Sequence, residues 1–299
     1  MKTFYDSLVE KNIKVLKDEP MKNHTTFKIG GNAKYFVLPK DENEIIFALI
    51  EAEKFDERVL VLGNGSNMLV SDNGFDGVII HIGEEMSKTE LLGDNVIKAQ
   101  SGALLIRVCR EALSNSLSGM EKLFGIPGSV GGGLYMNAGA YGGEMKDVVF
   151  SAEYIDEDKK LKSISADDMA LSYRHSFFSD KRVIITSVTF KLKKGNKDDI
   201  KSEMDKYMQL RKDKQPLEYP SAGSVFKRPE GYFAGALIEE CGLKGKKIGG
   251  AQVSEKHAGF IVNAGNATQK DVTELIALCR ETVFRQKNVM LESEIKIYE

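Results

Sequence analysis

Two glycine-rich runs and one serine run carry the residue types from which chemistry could be built. Leu123 to Gly143 reads LFGIPGSVGGGLYMNAGAYGG, and Gly125 to Gly143 holds eight of the chain's 28 glycines. Glycine lets another group approach the backbone closely, and successive free N–H groups form a concave anion site. A flexible linker would be poor in apolar residues. This run interleaves Ile126, Pro127, Val130, Leu134, Tyr135, Met136 and Tyr141, so an ordered wall against a phosphorylated ligand is expected. The second run, Gly63-Asn-Gly-Ser-Asn67, closes the β-rich Arg58–Leu62. A strand ending in such a loop suits a phosphate, and a hairpin turn is the other reading. No long helix opens after it, because Met68–Ser71 reads as extended, and no Lys-Ser/Thr pair follows the glycines. Neither a dinucleotide-binding doubly wound sheet nor a P-loop fits.

The serine run is Ser221-Ala-Gly-Ser-Val-Phe-Lys-Arg-Pro229. Ser224, among small residues, could present its hydroxyl into a pocket while Lys227 and Arg228 face an anion. The GxSxG elbow of a hydrolase is missing. In Leu171–Phe178, Arg174 stands in an unusual setting of aromatics and hydroxyls, although the sequence alone favours a surface strand end with an ordinary ion pair. Glu292 and Glu294 alternate with Ile295 and Ile297, and spacing alone makes both glutamates solvated.

Bulk properties narrow the classes. Basic and acidic residues nearly balance, 42 against 44, so no global field draws nucleic acid. No apolar run approaches the length of a membrane span, and the charged N-terminal segment lacks a signal-peptide core. Four scattered histidines lack metal-ligand spacing, which predicts no metal site. Three widely spaced cysteines in apolar surroundings suggest buried thiols in a reduced cytoplasm.

The elements that must position these residues are mixed. Residues 1–20 read as a helix with a ragged apolar side. Residues 23–31 form a loop, either a turn or a place where backbone nears a ligand. Asp41 with Glu44 reads as a helix start. Strands follow at 34–38, 58–62, 78–82 and 96–99, and a helix runs from Ser101 to near Gly119. Strands return at 149–155 and 183–192, and an amphipathic helix spans about 198–213. Thr268 and Asp271 form a capping box for a helix bearing Val272, Leu275, Ile276, Cys279 and Val283. The last strand is 292–298. Helix and strand are thus mixed along the chain, and the prolines that end the 198–213 helix place a domain boundary near 200–215.

In this order, Gly63–Asn67, Gly125–Gly132, Asn137–Gly142, Tyr173–Phe177, Gly223–Pro229 and Glu292–Ile295 closely resemble the UDP-N-acetylenolpyruvoylglucosamine reductase family. The resemblance implies an α+β protein with FAD held by the two-subdomain fold of the vanillyl-alcohol oxidase and p-cresol methylhydroxylase type over 1–205, the subdomains being about 1–85 and 86–205. A C-terminal α+β substrate-binding domain would occupy 206–299. It implies NADPH as hydride donor and a UDP-sugar enolpyruvyl ether as substrate, in peptidoglycan precursor synthesis. No histidine lies in either glycine run, so non-covalent FAD is expected. The short interval between Arg174 and Ser224 resembles the compact subclass, which lacks an extra tyrosine-bearing loop. Arg228 stands where the family often has Asn.

Carried onto this chain, the FAD contacts are Gly63, Asn64, Gly65, Ser66, Asn67, Ile126, Gly128, Ser129, Gly132, Gly133, Asn137, Gly139, Ala140 and Tyr141. Arg174 would stabilise charge on the substrate carboxylate. Ser224 would protonate the carbanion carbon. Glu294 would act while protonated or sharing a proton. Tyr173, Lys227 and Arg228 would contact substrate. A flavoenzyme of the same fold oxidising an alcohol or hydroxy acid, and a non-catalytic flavin-binding module, are the alternatives. Oligomeric state is not readable.

Overall fold

The computed structural model describes residues 2–299, which form two compact units interleaved along the chain. The first collects the segment up to Lys17, Tyr35–Asn64 and Gly77–Leu210. The second collects Asp18–Lys34, Gly65–Asp76 and Arg211–Glu299. The chain therefore enters the second unit three times, where the sequence suggested one cut at 205/206.

The first unit is built on two larger sheets, with two short two-stranded pairings beside them. One orders its strands Lys14–Pro20, Asn32–Leu38, Phe75–His81 and Val59–Leu62, the last two parallel in register Val59 to Val78. Segments 18–34 and 65–76, which continue from the ends of these strands, are counted with the second unit. Helices Phe4–Glu10 and Glu42–Lys54 cover this sheet, burying Phe4, Leu8, Ile45, Ala48 and Ala52 with Val78 and Ile80. Asp41 caps the second helix, accepting from the Glu44 N–H.

The N-terminal residues correct the expectation of one helix. Its capping box, Thr3 with Asp6, is intact, but the helix ends at Glu10 and Lys14–Pro20 is a strand. Asn12 takes the left-handed conformation at φ 56 and turns the chain. Ile13 and Val15 are then buried while Lys14 and Leu16 are exposed, a period of two rather than 3.6.

The other sheet is antiparallel, ordered Leu161–Ser165, Val149–Ile155, Ile184–Lys191, Val96–Gln100 and Thr89–Leu91. Helices Leu105–Ser114 and Val130–Tyr135 pack on it, burying Val108, Cys109, Val130 and Leu134 with Ile97, Val188 and Phe190. The first of these begins four residues after Ser101 and stops at Ser114, short of the expected end near Gly119. Ser116 at φ 53 turns the chain into a short strand, Leu117–Ser118, paired with Lys193–Lys194.

The second unit has an antiparallel sheet ordered Ser221–Ser224, Phe260–Asn263, Ala251–Val253 and Lys247–Ile248. Helix Gln269–Lys287 lays Val272, Leu275, Ile276, Cys279 and Val283 into its core, where Phe27 and Leu69 also lie. Its start is the expected capping box of Thr268 with Asp271. Lys296–Tyr298 pairs in parallel with Met68–Val70, so the unit joins residues from the first and last quarters of the chain.

Candidate active site

In the first unit the two glycine runs meet. The strand Val59–Leu62 stops at Gly63, where a Cβ would lie 2.3 Å from Ser129 Oγ. A side chain there would push the Ser129 hydroxyl out of its place. The Asn64 side-chain amide donates to Pro127 O at 2.5 Å. The next glycine turns to other partners: a Cβ at Gly65 would come 2.1 Å from His24 O, and Gly65 O accepts from the Thr26 N–H at 3.2 Å.

The middle of the long run is not loop but a short helix, Val130–Tyr135, with sequence VGGGLY. Glycine is among the weakest helix formers, at about 1 kcal/mol per residue against Ala, so packing must demand it. A Cβ at Gly131 would fall 2.8 Å from Ser101 Cβ, and one at Gly133 would fall 2.9 Å from Leu105 Cδ1. Gly132 differs, with only Ser129 Oγ near, at 3.3 Å. Ser129 is the N-cap, its hydroxyl accepting from the Gly132 N–H at 3.3 Å. Gly128 O accepts from the Leu105 N–H, and Ile126 packs against the core of the antiparallel sheet.

The run ends in a hairpin. Gly139–Ala140 pairs with Gly143–Glu144, and the two residues between, Tyr141 and Gly142, both have positive φ, 54 and 77. That is the backbone of a tight two-residue hairpin turn. Tyr141 stacks on Tyr207 of helix Lys197–Lys214 with centroids 5.3 Å apart. Nothing in the sequence pairs these two tyrosines, because Tyr207 also fits the apolar face of its helix.

Arg174 sits at the tip of another hairpin. Ser172 and His175 exchange both backbone hydrogen bonds, at 3.1 and 3.2 Å. Arg174 has φ 56, a left-handed conformation costing a non-glycine residue about 1–2 kcal/mol. Its guanidinium lies over the Tyr173 ring at 4.9 Å and Nη2 donates to Gly139 O at 3.4 Å. The hairpin is anchored by Ser176 Oγ, which donates to Tyr135 O at 2.7 Å, and by His175 Nε2 against Asp180 at 2.8 Å. Burial pushes the nearby Tyr135 phenol pKa up, with Asp180 adding to the shift.

In the second unit Ser224 ends the strand Ser221–Ser224. The pairing with Phe260–Asn263 shifts register between Ser221 and Ser224, where Gly223 takes φ 77. A bulge of this kind re-aims the side chains beside it. The next residue, Val225, accepts through its carbonyl from the Glu294 N–H at 2.7 Å. Lys227 N–H donates to Glu292 O at 2.8 Å, and Phe226 bridges Ser293. The serine run and the glutamate run therefore lie side by side. From the other direction Asn67 Nδ2 donates to Glu294 O at 3.2 Å.

The Lys227 ammonium is bonded to Glu292, a partner that spacing had left as a solvated residue. Arg228 stacks over the ring of Phe233 at 4.8 Å. The periodic reading of the last strand needs correction. Ile295 is 4% exposed and Ile297 38%, because residues 292–294 pair with the serine run whereas Lys296–Tyr298 pair with Met68–Val70. No group of three or more His, Cys, Asp or Glu among the described residues could hold a metal ion. No helix among them is long and apolar enough to cross a membrane.

Residues 215–298 match the UDP-N-acetylenolpyruvoylglucosamine reductase C-terminal domain, and residues 33–165 match an FAD binding domain. The chain is 49% identical over 308 aligned residues to the UDP-N-acetylenolpyruvoylglucosamine reductase of Agathobacter rectalis, covering 99% of this chain and 98% of that one. The chain belongs to the UDP-N-acetylenolpyruvoylglucosamine reductase family. Among solved structures, the family's reductase from Thermus caldophilus is similar with a TM-score of 0.82 at 34% identity, covering 96% of this chain and 99% of that one. A solvent-stable cholesterol oxidase, 14% identical with a TM-score of 0.50 over 62% of this chain and 38% of its own, shares the fold alone. The architecture is thus the α+β FAD-binding fold found in such oxidases, carrying the reductase family's own C-terminal domain.

The residues fit a flavin dinucleotide. Gly132 and Gly142 leave bare backbone where a side chain would otherwise stand, with nothing within 4 Å of a Cβ at Gly142. A ligand held by main-chain N–H groups needs such a surface.

Proposed function

We propose that this chain reduces the enolpyruvyl ether of UDP-N-acetylglucosamine enolpyruvate to UDP-N-acetylmuramate with NADPH, a step in peptidoglycan precursor synthesis in the cytoplasm. The observation that carries the reading is the near-full-length similarity to a reductase named for this substrate. The six motifs of the resemblance stand in order along that similarity. FAD, bound non-covalently, supplies the electron transfer between NADPH and the alkene, and the protein supplies position and polarity.

Gly63 to Asn67, with Ile126, Gly128, Ser129, Gly132 and Gly133, would hold the dinucleotide. Gly139 to Tyr141 would pass nearer its ring. Addition at the terminal alkene carbon leaves negative charge on the neighbouring carbon, shared with the carboxylate. Arg174 would grip that carboxylate through two parallel hydrogen bonds and stabilise the growing charge. A guanidinium backed by a tyrosine ring and a backbone carbonyl is held in place before substrate arrives. Ser224 would deliver the proton to the carbon, with Glu294 as the acid beside it; the Val225 carbonyl bonded to the Glu294 N–H supports acting as a pair. Lys227 and Arg228 would face the diphosphate, and Tyr173 the sugar. In this reading residues 1–205 chiefly serve FAD and 206–299 chiefly serve substrate.

The test is spectroscopic. Purified protein should be yellow, bleach with NADPH, and regain colour when UDP-N-acetylglucosamine enolpyruvate is added anaerobically. Bleaching by simple alcohols or hydroxy acids in place of NADPH, with no return of colour on adding the UDP-sugar, would overturn the reading.

A further inference from the structure

Asn137 is fully buried, at 0% exposure, and holds φ 41. Its side-chain amide is spent inside the protein. Nδ2 donates to Ser172 O at 2.8 Å and to Glu144 Oε2 at 3.2 Å, while Oδ1 accepts from the Lys146 N–H at 2.9 Å. This set fixes the orientation of the amide, since only the nitrogen can donate to a carbonyl and only the oxygen can receive an N–H. Two donors and an acceptor at this reach describe asparagine. Aspartate would lose both donors and bring a second carboxylate against Glu144.

Ser172 is the first residue of the hairpin that carries Arg174 at its tip. Its carbonyl accepts from both the His175 N–H and Asn137, so both lone pairs are engaged at the base of the hairpin. Two residues beyond Asn137, Gly139 O accepts from Arg174 Nη2. One three-residue segment therefore grips the hairpin at its base and its guanidinium at the tip. Arg174 is held in a left-handed backbone that a non-glycine residue leaves unless its surroundings forbid it.

We propose that Asn137 is a positioning residue that acts through Arg174, by clamping the Ser172–His175 hairpin in the geometry that aims the guanidinium. The proposal rests on the assignment of Arg174 to the substrate carboxylate. Residue 137 has no exposed surface, backbone included, so Asn137→Asp, which keeps tolerance of the left-handed conformation, alters no surface open to the flavin.

The experiment compares Asn137→Asp, Arg174→Ala and the double variant as holoproteins. FAD content, the rate of bleaching by NADPH and the rate of reoxidation by UDP-N-acetylglucosamine enolpyruvate are each measured. Asn137→Asp is expected to keep full FAD content and bleach within about twofold of the parent, yet reoxidise ~30-fold more slowly; added to Arg174→Ala, it costs less than about twofold more. Losses that multiply in the double variant, or a parallel fall in bleaching and reoxidation, would overturn the inference. Parental reoxidation by Arg174→Ala alone would instead overturn the assignment of Arg174. Should Asn137→Asp not yield holoprotein, Asn137→Ser is scored by the same criteria.

Discussion

The side-chain amide of Asn67 donates to the backbone oxygen of Glu294 at 3.2 Å, across 227 positions of sequence. Asn67 O in turn accepts from the Lys296 N–H at 3.0 Å. With the Glu294 N–H on Val225 O, the glutamate's main chain is fixed on both sides. Its backbone is thus seated between the serine run and a glycine-run residue.

Asn67→Ala should loosen this arrangement. One net hydrogen bond to a partly buried carbonyl is worth about 1 kcal/mol. The urea midpoint at saturating FAD should fall with an unchanged m-value, and reoxidation by the UDP-sugar should slow more than bleaching by NADPH. An unchanged midpoint would show that Glu294 is held without Asn67.

Ser224→Ala separates the two half-reactions. Bleaching by NADPH should be nearly intact, whereas reoxidation by the UDP-sugar should slow by ~10²–10⁴, the usual worth of a general acid. Stopped-flow absorbance reads both. Equal slowing of the two would remove Ser224 from the proton-transfer role.

Two glycines should fail in different ways. A methyl at Gly63 meets Ser129 Oγ at 2.3 Å, so in Gly63→Ala the hydroxyl must leave its N-cap position and the fold should lose ~0.5–2 kcal/mol. A Cβ at Gly132 meets only that hydroxyl, at 3.3 Å. Gly132→Leu should therefore give folded but colourless protein, judged by circular dichroism and flavin absorbance. Full flavin content in this variant would place the dinucleotide elsewhere.

Asp271 makes stability depend on acid pH. Its carboxylate accepts from the Thr268 and Gly250 N–H groups at 3.0 and 3.2 Å, and the first of these leads in holding its pKa below the ordinary value. A depressed acid stabilises above its unfolded pKa, and the contribution disappears as pH falls through the folded one. Asp271→Ala should cost about 0.5–2 kcal/mol at neutral pH and progressively less below about pH 4. Equal losses at pH 7 and pH 3 would exclude an ionised cap.

The thiols should differ in reactivity. Cys109 and Cys279 are buried, and burial pushes the Cys279 thiol up to about 12 and that of Cys109 higher still. Cys241 is only partly buried. Ellman's reagent should label Cys241 in the native protein and the other two only after unfolding, as mass spectrometry of the adducts would show.

Local chemistry was the legible part of this fold. The Thr268–Asp271 box and the strand Val149–Ile155 rest on neighbours in sequence, and both stand at their expected places. The strand Lys14–Pro20 was hidden because Ile13 and Val15 serve a helical stripe on paper as well as a strand. The turn at Asn12 decides between them. The members of the candidate site were legible as motifs, but their partners were not. Glu292 bonded to Lys227, Tyr207 stacked on Tyr141 and Asn137 holding Ser172 depend on contacts far along the chain. Nor did alternation foresee that Ile295 and Ile297 part company, because the chain changes pairing partner between them.

The parallel pairing of Met68–Val70 with Lys296–Tyr298 also orders events during synthesis. At translation rates of ~5–20 residues per second, Asn67 emerges roughly ten to fifty seconds before the residue its side chain will bond. Throughout that interval Leu69, fully buried in the finished protein, lacks its final partner strand on a nascent chain. Chaperone engagement should therefore concentrate there, because an unfinished chain carries Met68–Val70 without the strand that pairs with it.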